Sequence, residues 1–356
     1  MRFESVSDIT QWLNGFEHPW LPEAWAEVKG VVNVKATGEI HIQIPFAAAS
    51  LLEQLTQWVE LQQQNGVAKN VSFTFSCRVA TLKAGEKTQL KGVKNIIAVS
   101  SAKGGVGKST TSVNLALALK AQGAKVGMLD ADIYGPSVPM MLGAMDESPA
   151  SRDGKLMEPV EAHGIYTNSI GYLVDAQDAT IWRGPMASKA LAQLMNETRW
   201  PDLDYLVIDM PPGTGDIQLT LAQQIPVTGV VVVTTPQDLA LADAIKGVNM
   251  FAKVEVPVAG VIENMSFHTC SNCGHHEAIF GSGGAEEMAK EYGVPLLAQL
   301  PLHINIRADI DNGTPTVVAR PNEEQAKAYL SLAGNVASRL YWQGDVMPDQ
   351  IMFTAL

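Results

Sequence analysis

A chain of 356 residues with 25 basic and 37 acidic side chains carries a net charge of −12. That length suits one large or two unequal domains with an ample core, and the acidic surface argues against nucleic-acid or membrane partners. No stretch approaches a span of roughly 18 apolar residues, the start Met1-Arg2-Phe3-Glu4-Ser5 is no signal peptide, and three cysteines do not make a secreted disulfide framework, so a reducing, cytoplasmic setting is expected.

Residues 1–82 are expected to form a small α+β unit. Ile9, Trp12, Leu13 and Phe16 recur at helical spacing, and residues 28–35 and 39–44 read as strands about a Thr37-Gly38 turn. Residues 46–64 read as a helix with Leu51, Leu52, Leu55, Trp58, Val59 and Leu61 on its apolar side. Val71, Phe73 and Phe75 alternate as a strand. Trp12, Trp20, Trp25 and Trp58 are assigned to the core rather than to a ligand platform, and Cys77 to a small buried hydrophobe. Residues 83–94 are polar, contain four lysines and read as a solvated interdomain linker.

From Asn95 to residue 341 the pattern changes to strands alternating with helices. Apolar strands are expected at 96–100, 126–130, 205–209, 229–234, 258–262 and 296–300, and helices at 109–122, 185–197, 238–253, 284–291 and 323–341. A continuous run such as Gly229-Val230-Val231-Val232-Val233 is buried on both faces, which means a mostly parallel, doubly wound α/β sheet. Such sheets bind ligands at the carboxyl ends of their strands. Residues 342–356 form a C-terminal tail with no assigned role, and its acids, glycine and proline are not those of a basic membrane-binding helix.

The first of these strands runs into Ala102-Lys103-Gly104-Gly105-Val106-Gly107-Lys108-Ser109-Thr110, and a helix follows. Strand, glycine-rich turn and helix make a phosphate-binding loop, whose backbone N–H groups and helix dipole converge on phosphate oxygens. Lys108 would reach the β- and γ-phosphates of ATP, and the Ser109 hydroxyl would sit on Mg²⁺. The usual first glycine of the pattern is Ala102 here. Lys103, directly before Gly-Gly, resembles the deviant Walker A ATPases, and that resemblance implies a lysine reaching across a homodimer to the partner's nucleotide.

Two further segments fall at strand ends. In Asp130-Ala131-Asp132 the two carboxylates share one direction if the strand holds, fit for a Mg²⁺ shell or a water on the γ-phosphate, or else for an acidic surface turn. Asp130 is expected to support its loop. Asp209, after Tyr205-Leu206-Val207-Ile208, has the Walker B arrangement and would hold Mg²⁺ through water. In the loop that follows, Pro211 and Pro212 add stiffness and the glycines from 213 to 215 add freedom. The Gly213 N–H would sense the γ-phosphate, which makes the loop a switch. Arg183 is left between a phosphate or partner contact and a structural salt bridge.

Cys270-Ser271-Asn272-Cys273 lies in a polar stretch flanked by His268, His275 and His276. A C-x-x-C pair of this kind is redox-active, zinc-binding or iron–sulfur-binding. A thioredoxin-like pair would open a helix. A zinc site normally has a second pair about 12–20 residues away, and none exists. Two chains donating two thiolates each would complete a four-cysteine cluster site on a two-fold axis.

Taken together, Lys103-Gly-Gly-Val-Gly-Lys-Ser-Thr, Asp130-Ala-Asp-Ile-Tyr-Gly-Pro-Ser, Asp209-Met-Pro-Pro-Gly-Thr-Gly-Asp and Glu263-Asn-Met-Ser with Cys270 and Cys273 resemble the Mrp/ApbC-type iron–sulfur cluster carriers of the deviant P-loop ATPases. The resemblance implies a homodimer with a labile [4Fe–4S] cluster at the paired Cys270 and Cys273. It implies ATP hydrolysis, with donor scaffolds and recipient apo-proteins as partners. It also implies that Asp132 orients the attacking water and that Asn264 faces adenine. The competing readings are a ParA/MinD-like spatial-organisation ATPase and a P-loop ATPase with a mononuclear zinc site.

Overall fold

The computed structural model describes residues 3, 5–69, 71–174 and 184–347. Arg183 and residues 348–356 of the tail lie outside the described residues.

The N-terminal unit starts with the helix Val6–Leu13, which Ser5 caps by accepting from the Asp8 N–H while the Asp8 carboxylate accepts from the Ser5 N–H. Strands β1 (Val32–Val34), β2 (Ile40–Ile44) and β3 (Phe73–Cys77) form a three-stranded sheet, antiparallel between β1 and β2 and parallel between β2 and β3. The helix Ala49–Gln64 joins β2 to β3. Trp12 packs its ring 4.9 Å from Trp58 and 5.5 Å from Phe73, so these aromatics are core. Strand β1 is shorter than the expected 28–35, because residues 28–31 make a turn, with Gly30 at φ of +91° and the Val31 N–H donating to the Val28 carbonyl.

The main sheet contains nine strands among the described residues. They are β4 (Val93–Ser100), β5 (Val126–Asp130), β6 (Val160–Ala162), β7 (Ile165–Ser169), β8 (Leu203–Asp209), β9 (Gly229–Thr234), β10 (Val258–Thr269), β11 (His276–Glu277) and β12 (Leu296–Leu302). The parallel order is β12-β10-β9-β4-β8-β5-β7, and β6 and β11 add short antiparallel pairs at β7 and β10. All six residues of β9 are buried, as a Val run in the middle of a parallel sheet must be. The helix Lys108–Ala121 is buried along nearly its whole length between the sheet and the long helix Glu324–Gln343. The hairpin of β6 and β7 is absent from the sequence expectation. Its strands are short, and Thr167, Asn168 and Ser169 give no apolar alternation.

Two expectations are corrected. Residues 83–94 are not a free, solvated run. Lys87 Nζ donates to the Ala222 and Ile225 carbonyls at 2.7 and 3.0 Å, and Lys94, already inside β4, pairs with Asp204 at 2.7 Å. The expected start of the tail at residue 342 also moves: Trp342 and Gln343 finish the long helix, and Val346 bridges to Leu82. The N-terminal unit is docked through Trp20. Its Nε1–H donates to Asn335 Oδ1 at 2.9 Å, its carbonyl accepts from Trp342 Nε1 at 2.8 Å, and its ring lies on Gly334. A Cβ at residue 334 would fall 1.9 Å from the indole, so only glycine admits this contact.

Candidate functional site

The carboxyl ends of β4, β5 and β8 meet at one place, beside Asn264 in the middle of β10. From β4 the chain turns through the loop at 101–107, where Gly105 and Gly107 take φ of +82° and +83°. That left-handed backbone favours glycine. Gly107 is doubly constrained, because a Cβ there would meet Asn264 Nδ2 at 2.2 Å. Beyond Gly104 and Gly105 the space is open, so their N–H groups are approachable. Ala102 replaces the usual glycine without conflict: its methyl lies by Gly247 of the helix Asp238–Lys253. Lys103 is exposed at the edge of the loop.

Asp209, at the end of β8, is fully buried and gathers the loop's polar side chains. Lys108 Nζ lies 2.7 Å from its Oδ1, with Lys108 itself only 6% exposed. Ser109 Oγ donates to Asp209 Oδ2 at 2.6 Å and Ser112 Oγ to Oδ1 at 2.7 Å. Ser112 escaped the sequence reading, although it stands one helical turn after Lys108 on the same face. Ser109 and Asp209 thus present adjacent hard oxygen donors, the chemistry a magnesium ion takes.

Asp130, at the end of β5, is buried and holds its own loop. It accepts from the backbone N–H groups of Asp132, Ser137 and Val138, at 3.1 to 3.2 Å, and from Ser169 Oγ at 3.0 Å. Burial raises its pKa, and the charge of Asp209 adds to that rise, against these donors. Asp132 is half-buried on the same loop. Burial raises its carboxyl too, opposed by the nearby Lys108 ammonium. Gly213 takes φ of +109°, and its N–H donates to the Ser101 carbonyl at 2.9 Å, so the expected switch loop lies directly on the start of the phosphate loop.

Strand β10 runs far past the expected 258–262. It bulges where Met265 takes φ of +57°, stays paired with β12 through His268, and ends in a hairpin with β11. Cys270 and Cys273 form the tip, with the Cys270 N–H donating to the His275 carbonyl and the Gly274 N–H to the Cys270 carbonyl, both at 2.9 Å. The cysteine segment is therefore the connecting turn of a short hairpin. Cys273 is exposed, and the N–H groups of Asn272 and Cys273 hold the Cys270 thiol below its usual pKa. Among the described residues, no group of three or more His, Cys, Asp or Glu side chains is arranged to hold a metal ion. At the root of the hairpin the buried Glu263 accepts from Ser266 Oγ and from Gln299 Nε2, the latter at 3.0 Å. The expected adenine-facing Asn264 has its amide on the phosphate loop, donating to the Val106 carbonyl at 2.8 Å.

Comparison with known proteins gives a consistent picture. The family model described as ParA, NUBPL iron-transfer P-loop NTPase, matches residues 92–337. An iron-sulfur cluster carrier protein of Haemophilus influenzae is 58% identical over 355 residues, covering 98% of this chain and 96% of its own length. That of Escherichia coli is 58% identical over 350 residues, covering 97% and 95%. The iron-sulfur cluster transfer protein NUBPL of Mus musculus is 48% identical over 253 residues, covering 70% and 79%. Among solved structures, a nucleotide-binding protein of Archaeoglobus fulgidus in complex with ADP aligns with a TM-score of 0.58 at 35% identity, over 67% of this chain and 93% of that one. The septum site-determining protein MinD of Pyrococcus horikoshii, complexed with Mg-ADP, aligns at 0.50 and 24% identity over 67% and 94%, a likeness of fold alone. No helix among the described residues is long and apolar enough to cross a membrane.

Proposed function

Because this chain belongs to the NUBPL-type iron-transfer P-loop NTPases, the family of the iron–sulfur cluster carrier proteins, we propose that it is a cytoplasmic homodimer that carries a labile [4Fe–4S] cluster. In this reading it binds and hydrolyses ATP, accepts the cluster from a scaffold protein and passes it to apo-proteins. Each protomer supplies two thiolates, Cys270 and Cys273, which is half of a four-thiolate set. The cluster is cargo, and an exposed hairpin tip suits cargo that must leave.

The nucleotide chemistry follows from the side chains around Asp209. Lys108 exchanges its carboxylate partner for the β- and γ-phosphate oxygens, a move of one ammonium between two anions. Ser109 and Asp209 are the residues that would hold Mg²⁺, which neutralises phosphate charge when bound. Asp132 accepts a hydrogen bond from the attacking water and orients it. Gly213 turns its N–H from the Ser101 carbonyl to the γ-phosphate. Lys103, free at the loop edge, reaches the partner's nucleotide.

One observation carries the coupling between the two sites. Asn264, on β10, is bonded to the Val106 carbonyl inside the phosphate loop, and Cys270 is the first residue after that strand. A shift of the loop therefore acts on the strand that leads to the thiols. The test is cluster transfer to an apo-protein by wild type and Lys108→Ala, each with and without ATP. The account expects ATP to change the wild-type rate and to leave the variant's unchanged. Equal rates in all four conditions would refute it.

A further inference from the structure

Gln218 lies in the first turn of the helix Asp216–Gln224, directly after the glycine-rich loop, and is 2% exposed. Its side-chain Nε2 faces three oxygens. It donates to the Pro211 carbonyl, and Ser100 Oγ and the Ser101 carbonyl lie 3.5 Å away. Only an N–H₂ group fits opposite two carbonyls, so the amide's orientation is fixed by its surroundings. Its other atom, Oε1, is buried with no hydrogen-bond partner. An unpaired buried acceptor is a cost that folded proteins rarely leave standing. Here it marks an amide committed to the one contact on its other side.

That contact ties three segments together: the end of β4, the start of the phosphate loop, and Pro211 in the switch loop. Two residues beyond Pro211, the Gly213 N–H rests on the same Ser101 carbonyl that Nε2 approaches. Both bonds hold the switch loop down onto residue 101. For its N–H to serve a γ-phosphate, Gly213 must give up the Ser101 carbonyl, and the peptide at Pro211 must move with it.

We propose that Gln218 is the positioning residue that latches the switch loop in its resting place, so that breaking the Gln218–Pro211 bond is part of what ATP, and not ADP, must accomplish. This rests on the reading of the site as an ATP site. A latch that stabilises the resting loop lowers the fraction of protein ready for the γ-phosphate and so weakens the apparent affinity for ATP. ADP has no γ-phosphate and is indifferent to the latch.

The test replaces Gln218 by Met, which keeps the volume and removes the donor, and by Asn, which keeps the amide but is one methylene too short. Amide hydrogen exchange at Gly213 is followed in nucleotide-free protein. Equilibrium affinities are measured for a non-hydrolysable ATP analogue and for ADP. The expected result is faster exchange at Gly213 in both variants, analogue binding tighter by about fivefold, the worth of one ordinary hydrogen bond, and unchanged ADP binding. Weaker analogue binding, or parallel changes for both nucleotides, would overturn the latch and leave a structural amide. If neither variant folds, the wild type decides: its Gly213 amide must be protected without nucleotide and with ADP, and rapid exchange in either state overturns the proposal. Wild type that binds neither nucleotide would instead remove the ATP-site reading.

Discussion

Lys108, Ser109 and Ser112 all converge on a fully buried Asp209, whereas Cys270 and Cys273 stand at the tip of a short hairpin with one thiol exposed. The two regions share strand β10 and lie at the same end of the sheet, yet they are built oppositely. The nucleotide loop is assembled within one protomer where three strand ends meet the middle of β10, and its buried Lys108 is paired with Asp209 before any ligand arrives. Among the described residues, the thiol pair has no further His, Cys, Asp or Glu arranged with it to hold a metal. Preorganisation suits a site that must tell ATP from ADP by one phosphate. An incomplete, exposed ligand set suits a group that is received and given away.

The contrast is broken most severely at Lys108. Lys108→Ala removes a phosphate ligand and should lower ATP turnover by about 100-fold or more, as loss of a single transition-state donor does. It also leaves a buried carboxylate without its cation. The two serine hydroxyls remain, so the expected loss of stability is near the lower end of the usual range, about 3 kcal/mol. Iron content after anaerobic reconstitution should be unaffected in whatever fraction stays folded. Cys270→Ala should do the reverse, with no cluster retained and ATP turnover within about twofold of wild type, since Cys270 contributes no side chain to the phosphate loop. A variant that lost both properties together would show that the regions are not separable.

A smaller effect is expected at the docking contact of the N-terminal unit. Gly334→Ala drives a methyl into the Trp20 indole and should cost about 1–3 kcal/mol, as overpacking does. Chemical denaturation reads that cost. Limited proteolysis within residues 83–94 should change little, since Lys87 and Lys94 hold that segment to Ala222, Ile225 and Asp204 instead.

The smallest effect distinguishes the thiols themselves. Cys77 donates its S–H to the Phe46 carbonyl at 2.6 Å, and burial pushes its pKa up to about 11. A raised thiol pKa means less thiolate at any working pH, on the order of a thousandth at pH 8. A thiol-specific reagent should therefore label two cysteines per native chain quickly and the third only after unfolding. Three fast thiols would mean that the N-terminal sheet is looser than its packing indicates.

Much of this was legible in the residues because the chemistry of phosphate binding is local. Gly107, Lys108 and Ser109 act within one turn, and Asp209 announces itself after four apolar strand residues. The parallel core was legible for the same reason, since a Val run such as that of β9 has few alternatives. The parts missed depend on distant neighbours. Lys87 and Lys94 read as a solvated run because nothing near them in sequence reveals the carbonyls of Ala222 and Ile225 or the carboxylate of Asp204. The extension of β10 was hidden by Asn264 and Ser266, polar residues whose partners, Val106 and Glu263, only the fold brings within reach. Gln218 and the helix Asp216–Gln224 that carries it drew no expectation, because only the fold sets Pro211 beside its amide.

The central claim is that one protomer carries a nucleotide pocket and half of a cluster's ligands. Iron, sulfide and native mass measured on a single anaerobically reconstituted sample test it most directly. The account predicts four irons and four sulfides on a particle of twice the 38.2 kDa chain mass, all lost in Cys270→Ala. A monomer that holds one metal ion per chain and no sulfide would contradict it.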